Sequence, residues 1–177
     1  MGNRMRSLTV GCLVLLCMQL GCSVPRMLWP QRDTAASELE GQPTAPHVLL
    51  ASRSSEFKDE LVVRLKNALK SEGVTLRVMG IEQLKGADTG TYSAVVVICT
   101  CIAWGLDPDV QDFIDRHSDR DNLIVVVTSG DGGWLPDKAR YPVDAVSSAS
   151  RLVSVEAVAL DVLARIHSRL HNDGPAE

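Results

Sequence analysis

Cysteine is scarce in this sequence, and its placement excludes a fold held together by disulfide bonds. Only five of the 177 residues are cysteine, and three of them lie at positions 12, 17 and 22. The two in the body of the chain, Cys99 and Cys101, are too few for a disulfide framework, so the folded part is expected to depend on an apolar core. These two residues are either a redox-active pair, since strained disulfides are the labile ones, or buried thiols that behave as small hydrophobic side chains.

Positive charge is also in short supply. The chain has 18 lysines and arginines against 22 acidic residues, a formal net charge of −4. Removing the first 21 residues takes away Arg4 and Arg6 and no acidic residue, which brings the charge of the remainder to −6. Nucleic-acid affinity comes mainly from cations that neutralise phosphates. We therefore expect no nucleic-acid partner.

Signatures of several enzyme classes are missing. The four histidines, at positions 47, 117, 167 and 171, are scattered, and no cluster of Cys, His and Asp has the spacing of metal ligands. No nucleophile elbow, Walker loop or pair of catalytic acids occurs. The sequence predicts no metal site and no hydrolase, and it leaves open whether the protein is an enzyme.

The N-terminus has the pattern of an export signal. Arg4 and Arg6 precede an uncharged apolar run from Leu8 to Leu20. That run is shorter than the roughly 20 residues that cross a bilayer comfortably. A short positive segment followed by such a run is typical of a signal peptide, which we place at residues 1–21.

The end of the apolar run resembles the lipobox of bacterial lipoproteins. It reads Leu20-Gly21-Cys22-Ser23. The resemblance implies that Cys22 is lipidated and becomes the mature N-terminus, so that membrane lipid is a partner and the protein is exported and faces the periplasm. Ser23 implies the outer membrane in a bacterium with two membranes. Gln19 departs from the pattern, which usually has an aliphatic residue there, and an ordinary secretory signal or an uncleaved anchor is the alternative.

A proline-rich stretch separates this signal from the rest of the chain. Prolines occur at positions 25, 30, 43 and 46, and no apolar period is sustained between them. We predict that residues 22–46 form a flexible, lipid-anchored tether, that residues 47–171 form one domain, and that residues 172–177 form a disordered tail.

Strand-like apolar runs alternate with helical periodicity across that domain. Strands are predicted over 47–51, 74–79, 94–99, 123–127 and 143–147, and helices over 57–69, from position 107 onward and over 152–170. The third and fourth runs are apolar at every position, as in a parallel sheet covered on both faces. Asp107 and Pro108 are typical of a helix start. The alternation predicts an α/β fold with a doubly wound parallel sheet in three layers.

This order of elements resembles the flavodoxin-like proteins over about Pro46 to Leu170. The best stretch is 92–100 with Trp104-Gly105 and Asp107 to Asp115, which is similar to the flavodoxin strand, aromatic loop and following helix. The resemblance implies the sheet order 2-1-3-4-5, FMN as cofactor, and a ligand site beyond the carboxyl ends of the strands. The loops placed there contain the candidate cofactor-binding residues Ser52, Ser54, Ser55, Thr100, Trp104, Gly105, Gly130, Asp131, Gly132, Gly133 and Trp134.

The first of these loops departs from the flavodoxin pattern. Flavodoxins hold the FMN phosphate in a loop of the type Thr-Gly-Asn-Thr, whereas this chain has Ser52-Arg53-Ser54-Ser55-Glu56 without glycine. A helix N-terminus attracts anions; Arg53 would add to that attraction and Glu56 would oppose it. The alternative is that Ser54 or Ser55 simply caps the helix. The stretch between the fourth and fifth strands also lacks a clear helix.

Two tryptophans and a glycine-rich loop suggest a slot for a planar ring. The glycines of residues 129–134 permit close approach of the backbone to a ligand, and Trp134 and Trp104 would form opposite walls. The alternative for each tryptophan is that it covers the edge of the sheet.

Residues 144–150, Asp-Ala-Val-Ser-Ser-Ala-Ser, resemble the flavinylation motif of exported flavoproteins. The resemblance implies FMN joined through a phosphoester to Ser150. Ser148 stands where the motif has glycine. The alternative is a fifth strand that ends in a serine-rich cap for the last helix.

Two functional hypotheses follow for a membrane-tethered envelope protein. In the first, which we favour, the flavodoxin-like domain has lost cofactor binding and is an interaction or structural module with a protein partner. In the second, it binds FMN and carries electrons to an envelope redox partner. The missing glycine of the phosphate loop favours the first hypothesis.

Overall fold

The computed structural model describes residues 31–117 and 120–172. The predicted signal peptide, Cys22 and the tail beyond residue 172 lie outside these ranges. From Arg32 onward the chain contacts group into one compact unit. Within the described ranges, no helix has the length and apolar character needed to cross a bilayer.

The described chain contains seven strands and three α-helices. The strands are β1 (Arg32–Asp33), β2 (Ser37–Leu39), β3 (His47–Ser54), β4 (Thr75–Gly80), β5 (Ala94–Thr100), β6 (Leu123–Ser129) and β7 (Asp144–Ala149). The helices are α1 (Glu56–Ser71), α2 (Pro108–Arg116) and α3 (Val155–Asn172), with short 3-10 helices at Ile81–Gly86 and Leu152–Ser154. The predicted helix start at Asp107 is confirmed, because its carboxylate caps α2 by accepting from the Asp109 N–H at 3.0 Å.

Five parallel strands form the body of the sheet in the order β4-β3-β5-β6-β7. Counted from the first of them, this is the order 2-1-3-4-5, which confirms the predicted fold class and the flavodoxin-like arrangement. The register places Thr100 opposite Thr128, and Ser129 opposite Ala149. Strands β5, β6 and β7 therefore end at nearly the same level, and the loops that follow them leave one edge of the sheet, called here the carboxyl edge.

Both faces of the sheet are buried, which gives the three predicted layers. Val48 and Leu50 of β3 belong to the apolar core beneath α1 and α3, whereas Leu49 and Ala51 belong to the core beneath α2 and the first 3-10 helix. Side chains of a strand alternate between faces, so a strand covered on both sides is apolar throughout. That is why β5 and β6 were recognisable as continuous apolar runs.

The structure corrects the predicted tether. Residues 32–39 belong to the sheet: β1 pairs antiparallel with the end of β3, Asp33 lying opposite Arg53, and β2 pairs antiparallel with β4, Leu39 lying opposite Leu76. Gly41, just after β2, also packs closely against the domain, at the turn before β4: a Cβ at position 41 would lie 2.3 Å from the Gly73 carbonyl oxygen. The domain therefore begins at residue 32 rather than 47, and of the expected tether only residues 22–30 fall outside the described ranges.

Candidate functional site

The candidate residues lie along the carboxyl edge, as the resemblance implied. Ser52 is the last residue of β3 paired with β4 and β5, and Ser54 and Ser55 follow it. Thr100 ends β5, with Trp104 and Gly105 in the loop beyond it, and Gly130 to Trp134 follow β6. In open α/β sheets this edge is where ligands bind. The question at each loop is therefore whether its polar groups are available to a ligand or already bonded within the protein.

The connection from β3 to α1 has no room for a phosphate-binding loop. β3 continues to Ser54 and α1 begins at Glu56, so that Ser55 alone separates them. Ser55 is the N-cap, and its hydroxyl accepts from the Lys58 N–H at 3.4 Å. The Ser54 hydroxyl donates to Asp59 Oδ2 at 2.9 Å, and the Ser52 hydroxyl donates to the Arg53 carbonyl oxygen at 2.7 Å. These bonds give the serines capping and local structural roles.

Arg53 is enclosed by carboxylates and buried, with only 4% of its side chain exposed. Its guanidinium donates to Asp107 at 2.8 and 3.2 Å, to Asp109 Oδ2 at 2.7 Å and to Asp33 Oδ1 at 2.7 Å. Burial disfavours its charged form, but the hydrogen bonds and charges of Asp107 and Asp33 outweigh burial and raise the pKa of Arg53. The arginine that was expected to assist an anion is therefore fully engaged by three acidic side chains.

Asp33 is the member of this cluster that sequence reasoning missed. It comes from β1, in the segment expected to be a tether, and its second oxygen accepts from the Glu82 N–H at 3.0 Å. Gly80 is required beneath it, because a Cβ there would lie 2.3 Å from Asp33 Oδ2. Asp33 thus attaches the start of the described chain both to Arg53 and to the first 3-10 helix.

Lys58 is a second buried cation at this edge that the sequence did not identify. Its side chain faces the core with Phe57 and Leu61, and Nζ donates to Thr100 Oγ1 at 2.5 Å. Burial lowers the pKa of Lys58, because the charged ammonium loses its water. The signal available in the sequence was a lysine within the apolar stripe of an amphipathic helix.

The loop after β5 is a tight turn that holds Trp104 in solvent. Ile102 and Gly105 exchange two backbone hydrogen bonds of 2.9 Å, and the residues between them, Ala103 and Trp104, have φ angles of 49° and 63°. Left-handed backbone is unfavourable for residues with a Cβ. The Trp104 side chain is 82% exposed.

The glycine-rich loop after β6 is organised by its own hydrogen bonds. Asp131 Oδ1 accepts from the Gly133 N–H and the Ser129 hydroxyl, both at 3.0 Å, and these two donors lower the pKa of Asp131. Gly132 has a φ of +78°, and a Cβ there would lie 2.4 Å from the Ala149 nitrogen. The close approach that needs glycine at position 132 is therefore to β7, within the protein.

Trp134 and Trp104 have different environments. Trp134 is half-buried against the core beneath α2, and its carbonyl oxygen lies 2.7 Å from the Ser147 hydroxyl. This is the sheet-covering position expected as the alternative to a flavin wall. Trp104 projects from its turn and makes no such contribution to the core.

The segment resembling a flavinylation motif is β7 itself. Asp144 begins the strand and pairs with Arg165 and with Arg169, whose Nη2 lies 2.8 Å from Asp144 Oδ2. Ser148 is buried, and Ser150 is exposed immediately after the strand. The arrangement matches the alternative of a fifth strand leading through the second 3-10 helix to α3.

Cys99 and Cys101 are both free thiols. Cys99 is fully buried, and burial raises its pKa to about 12. Burial also raises the pKa of the half-buried Cys101. A thiolate is the reactive form of cysteine, so burial favours the less reactive thiol form of both residues.

The residues at the carboxyl edge do not fit a flavodoxin-type phosphate site. The cluster around Arg53 includes Lys85, whose Nζ lies 3.1 Å from Asp109 Oδ1, and Glu82. These ion pairs join two cations to four carboxylates, a net charge of −2 at the end of β3. The buried Lys58 is one further cation at this edge, outside the ion pairs, and it donates to Thr100. Among the described side chains, no group of three or more His, Cys, Asp or Glu could hold a metal ion.

Comparison with known proteins shows the fold. No protein-family model matches the sequence, and no curated protein sequence matches it. Among solved structures, rubredoxin oxygen:oxidoreductase from Desulfovibrio gigas superposes with a TM-score of 0.50 at 13% identity, covering 76% of this chain and 38% of that one. A mutant of the flavo di-iron protein from Thermotoga maritima gives a TM-score of 0.48 at 11% identity, covering 74% and 37%.

A third similar structure is a mutant flavodoxin from Pseudomonas aeruginosa, with a TM-score of 0.42 at 17% identity over 71% of this chain and 99% of that one. The chain spans less than two fifths of the length of the first two structures. At these identities the likeness concerns the fold alone, which is flavodoxin-like.

Proposed function

We propose that this chain is an exported lipoprotein, anchored to membrane lipid through Cys22, whose flavodoxin-like domain is an interaction module without FMN. The observation that supports the loss of FMN is the ion cluster around Arg53. A phosphate next to it would meet four carboxylates and two cations. Like charges in a partly buried site oppose binding strongly, and the connection from β3 to α1, which is Ser55 alone, has no glycine-rich loop to supply compensating backbone N–H groups.

The alternative is an FMN-binding electron carrier of the cell envelope. It is supported by the fold and by the position of the loops that carry Trp104 and Trp134 at one edge. Covalent attachment at Ser150 would remove the need for a phosphate loop, and Ser150 is exposed.

The visible absorption spectrum and the intact mass of the protein purified from membranes of its own host distinguish these functions. We expect no flavin absorption and no change when FMN is titrated in. A flavin band that persists after denaturation, with an added FMN mass that Ser150→Ala abolishes and Ser148→Ala retains, would establish the covalent carrier instead. A flavin band lost on denaturation would establish noncovalent binding.

The lipid anchor is tested by the same mass measurement and by membrane fractionation. We expect the mass to correspond to a chain that begins at Cys22 and carries lipid, and Cys22→Ala to abolish the lipid mass and the membrane retention of the processed chain. Cys17→Ala is the matched control within the same apolar run, and it should leave both properties unchanged. Retention of Cys22→Ala at its full uncleaved length would indicate an uncleaved anchor.

A further inference from the structure

Exposed apolar side chains concentrate at the carboxyl edge. Six large hydrophobic residues are exposed in the described part of the chain: Val63, Trp104, Leu135, Leu152, Val153 and Leu160. Trp104 lies four residues beyond the end of β5, and Leu152 and Val153 lie three and four residues beyond the end of β7. Their exposed fractions are 82%, 48% and 89%. We call these three residues the apolar edge.

The backbone holds Trp104 outward. The two hydrogen bonds between Ile102 and Gly105 close the turn, and Ala103 and Trp104 occupy left-handed conformations at its tip. Each such residue costs on the order of 1 kcal/mol relative to glycine. Trp104 is a large aromatic side chain that this turn leaves mostly in water, and it is not part of either apolar core; it is therefore available for contact with another surface.

The chain enters the domain at this same edge. Arg32 pairs with Ser54 and Asp33 with Arg53, both at the carboxyl end of β3. The ion pair from Asp33 Oδ1 to Arg53, at 2.7 Å, fixes that entry point. Nine residues lie between Cys22 and Arg32, and the ten residue-to-residue steps from one to the other reach at most about 36 Å when fully extended.

A lipid on Cys22 would therefore hold the point where the chain enters the carboxyl edge within about 36 Å of the bilayer. The opposite edge is farther by the length of the sheet, roughly 23 Å for a seven-residue strand such as β5. A tether of limited reach raises the effective concentration of a second binding surface. Tryptophan is the residue most suited to that surface, because its ring sits at the level of the lipid headgroups.

We propose that the apolar edge is a membrane-docking surface, in which Trp104, Leu152 and Val153 enter the headgroup region of the bilayer that holds the lipid anchor. This inference rests on the lipid anchor of the proposed function. The exposed charges at this edge include the basic residues Arg32 and Arg151 and the acidic residues Glu56, Glu82 and Asp131. Leu152 also lines a groove with Glu56, Asp59 and Glu60, so attraction to anionic lipid does not drive the docking. Docking therefore depends on the apolar residues and requires no excess of anionic lipid.

The test uses the full-length lipidated protein reconstituted into vesicles of phosphatidylethanolamine and phosphatidylglycerol, with and without brominated acyl chains. Trp29→Phe and Trp134→Phe leave Trp104 as the only tryptophan. Bromine placed on the acyl carbons nearest the headgroups quenches an indole at the boundary between headgroups and acyl chains, so we expect Trp104 to lose most of its emission. The matched control carries Trp104→Phe and Leu160→Trp in the same background, which moves the tryptophan to an exposed position on α3, and it should keep most of its emission.

A second measurement avoids any change at the half-buried Trp134. The difference in emission between the wild-type protein and its Trp104→Phe variant reports Trp104 alone, and that difference should be quenched severalfold more than the remainder. Equal quenching of Trp104 and of the Leu160→Trp control, in protein that carries lipid and stays on the vesicles, would overturn the docking surface and assign the apolar edge to a protein partner. Absence of lipid mass at Cys22 would instead remove the anchor itself.

Discussion

The guanidinium of Arg53 donates to both carboxylate oxygens of Asp107, at 2.8 and 3.2 Å, and only 4% and 2% of these two side chains are exposed. The pair joins the end of β3 to the start of α2 across the edge where a flavodoxin-like domain would hold its ligand. Asp33 and Asp109 complete the cluster from β1 and α2. A buried ion pair contributes little net stability when intact, but removing one partner leaves the other as an uncompensated buried charge, which is strongly destabilising.

Arg53→Met should therefore be among the most destabilising single substitutions in this domain. It leaves the buried carboxylate of Asp107 without its ion-pair partner and Asp109 with Lys85 as its remaining cation. We expect the free energy of unfolding to fall by about 3–5 kcal/mol, measured by urea denaturation. Arg64→Met is the matched control, because Arg64 is 41% exposed and pairs with Glu60 on the surface of α1; it should cost about 1 kcal/mol or less. A loss at Arg53 as small as that of the control would contradict the structural role of the cluster.

The strands and helices that the sequence predicted are those whose burial produces a recognisable pattern of apolar residues along the chain. β5 and β6 are apolar at almost every residue because helices cover both faces of the sheet, and α2 is preceded by Asp107 and starts at Pro108. β1 and β2 have two and three residues, too few to show any alternation. Prolines on either side of them suggested a tether, and only the pairing with β3 and β4 reveals otherwise.

The sequence predicted where in the fold the candidate loops lie, but not which groups their polar side chains bind. The resemblance located the loops correctly at the carboxyl edge, yet the partners of their polar groups come from distant positions in the sequence. Arg53 lies 20 residues from Asp33 and 54 from Asp107. No local pattern shows that these carboxylates converge, and so Arg53 was interpreted as an aid to anion binding.

Because of Lys58, the free energy of unfolding of the domain should vary with pH in the alkaline range. Burial lowers its pKa in the folded protein below the unfolded value of 10.5. The folded state then binds fewer protons than the unfolded state at pH values just below 10.5, so this lysine makes the free energy of unfolding rise with pH in that window. Lys58→Met should remove the rise and increase stability at neutral pH, as measured by urea denaturation at a series of pH values.

The control for Lys58 is Lys70→Met, at an exposed position in the last turn of the same helix. Its pH profile should follow that of the wild-type protein. An unchanged profile in Lys58→Met would show that the ammonium remains as well solvated in the folded protein as in the unfolded chain.

Ala103→Gly should stabilise the domain. Ala103 has a φ of 49° in the turn that carries Trp104, where glycine has no steric penalty. We expect a gain of about 1 kcal/mol in the free energy of unfolding, partly offset by the greater entropy of glycine in the unfolded chain. Ala68→Gly, in α1, is the control of opposite sign and should cost about 1 kcal/mol. A loss at both positions would mean that the turn is not strained as described.

Gly132→Ala should destabilise the domain, whether or not a ligand binds. A Cβ at Gly132 would lie 2.4 Å from the Ala149 nitrogen, and its φ is +78°. We expect a loss of about 1–3 kcal/mol in the free energy of unfolding. Gly130→Ala, where a Cβ would meet nothing within 4 Å, should change it by less than about 0.5 kcal/mol. If the two alanine substitutions change the free energy of unfolding equally little, glycine is not needed at position 132 for contact with β7. The glycines of this loop would then be better explained by close approach of a ligand.

Asp33→Ala tests whether residues 32–39 belong to the domain. The carboxylate accepts from Arg53 at 2.7 Å and from the Glu82 N–H at 3.0 Å. Its removal takes away one of the four hydrogen bonds of the buried Arg53 guanidinium and the protein partner of the exposed Glu82 N–H. We expect a loss of about 2–3 kcal/mol, since bonds to charged groups are worth more than neutral ones. Glu38→Ala, at an exposed position in β2, should be nearly neutral. If urea denaturation and limited proteolysis give the same result for both variants and the wild-type protein, residue 33 has no structural contact. The proposed membrane-docking surface would then lose its premise that the chain enters the domain at the apolar edge.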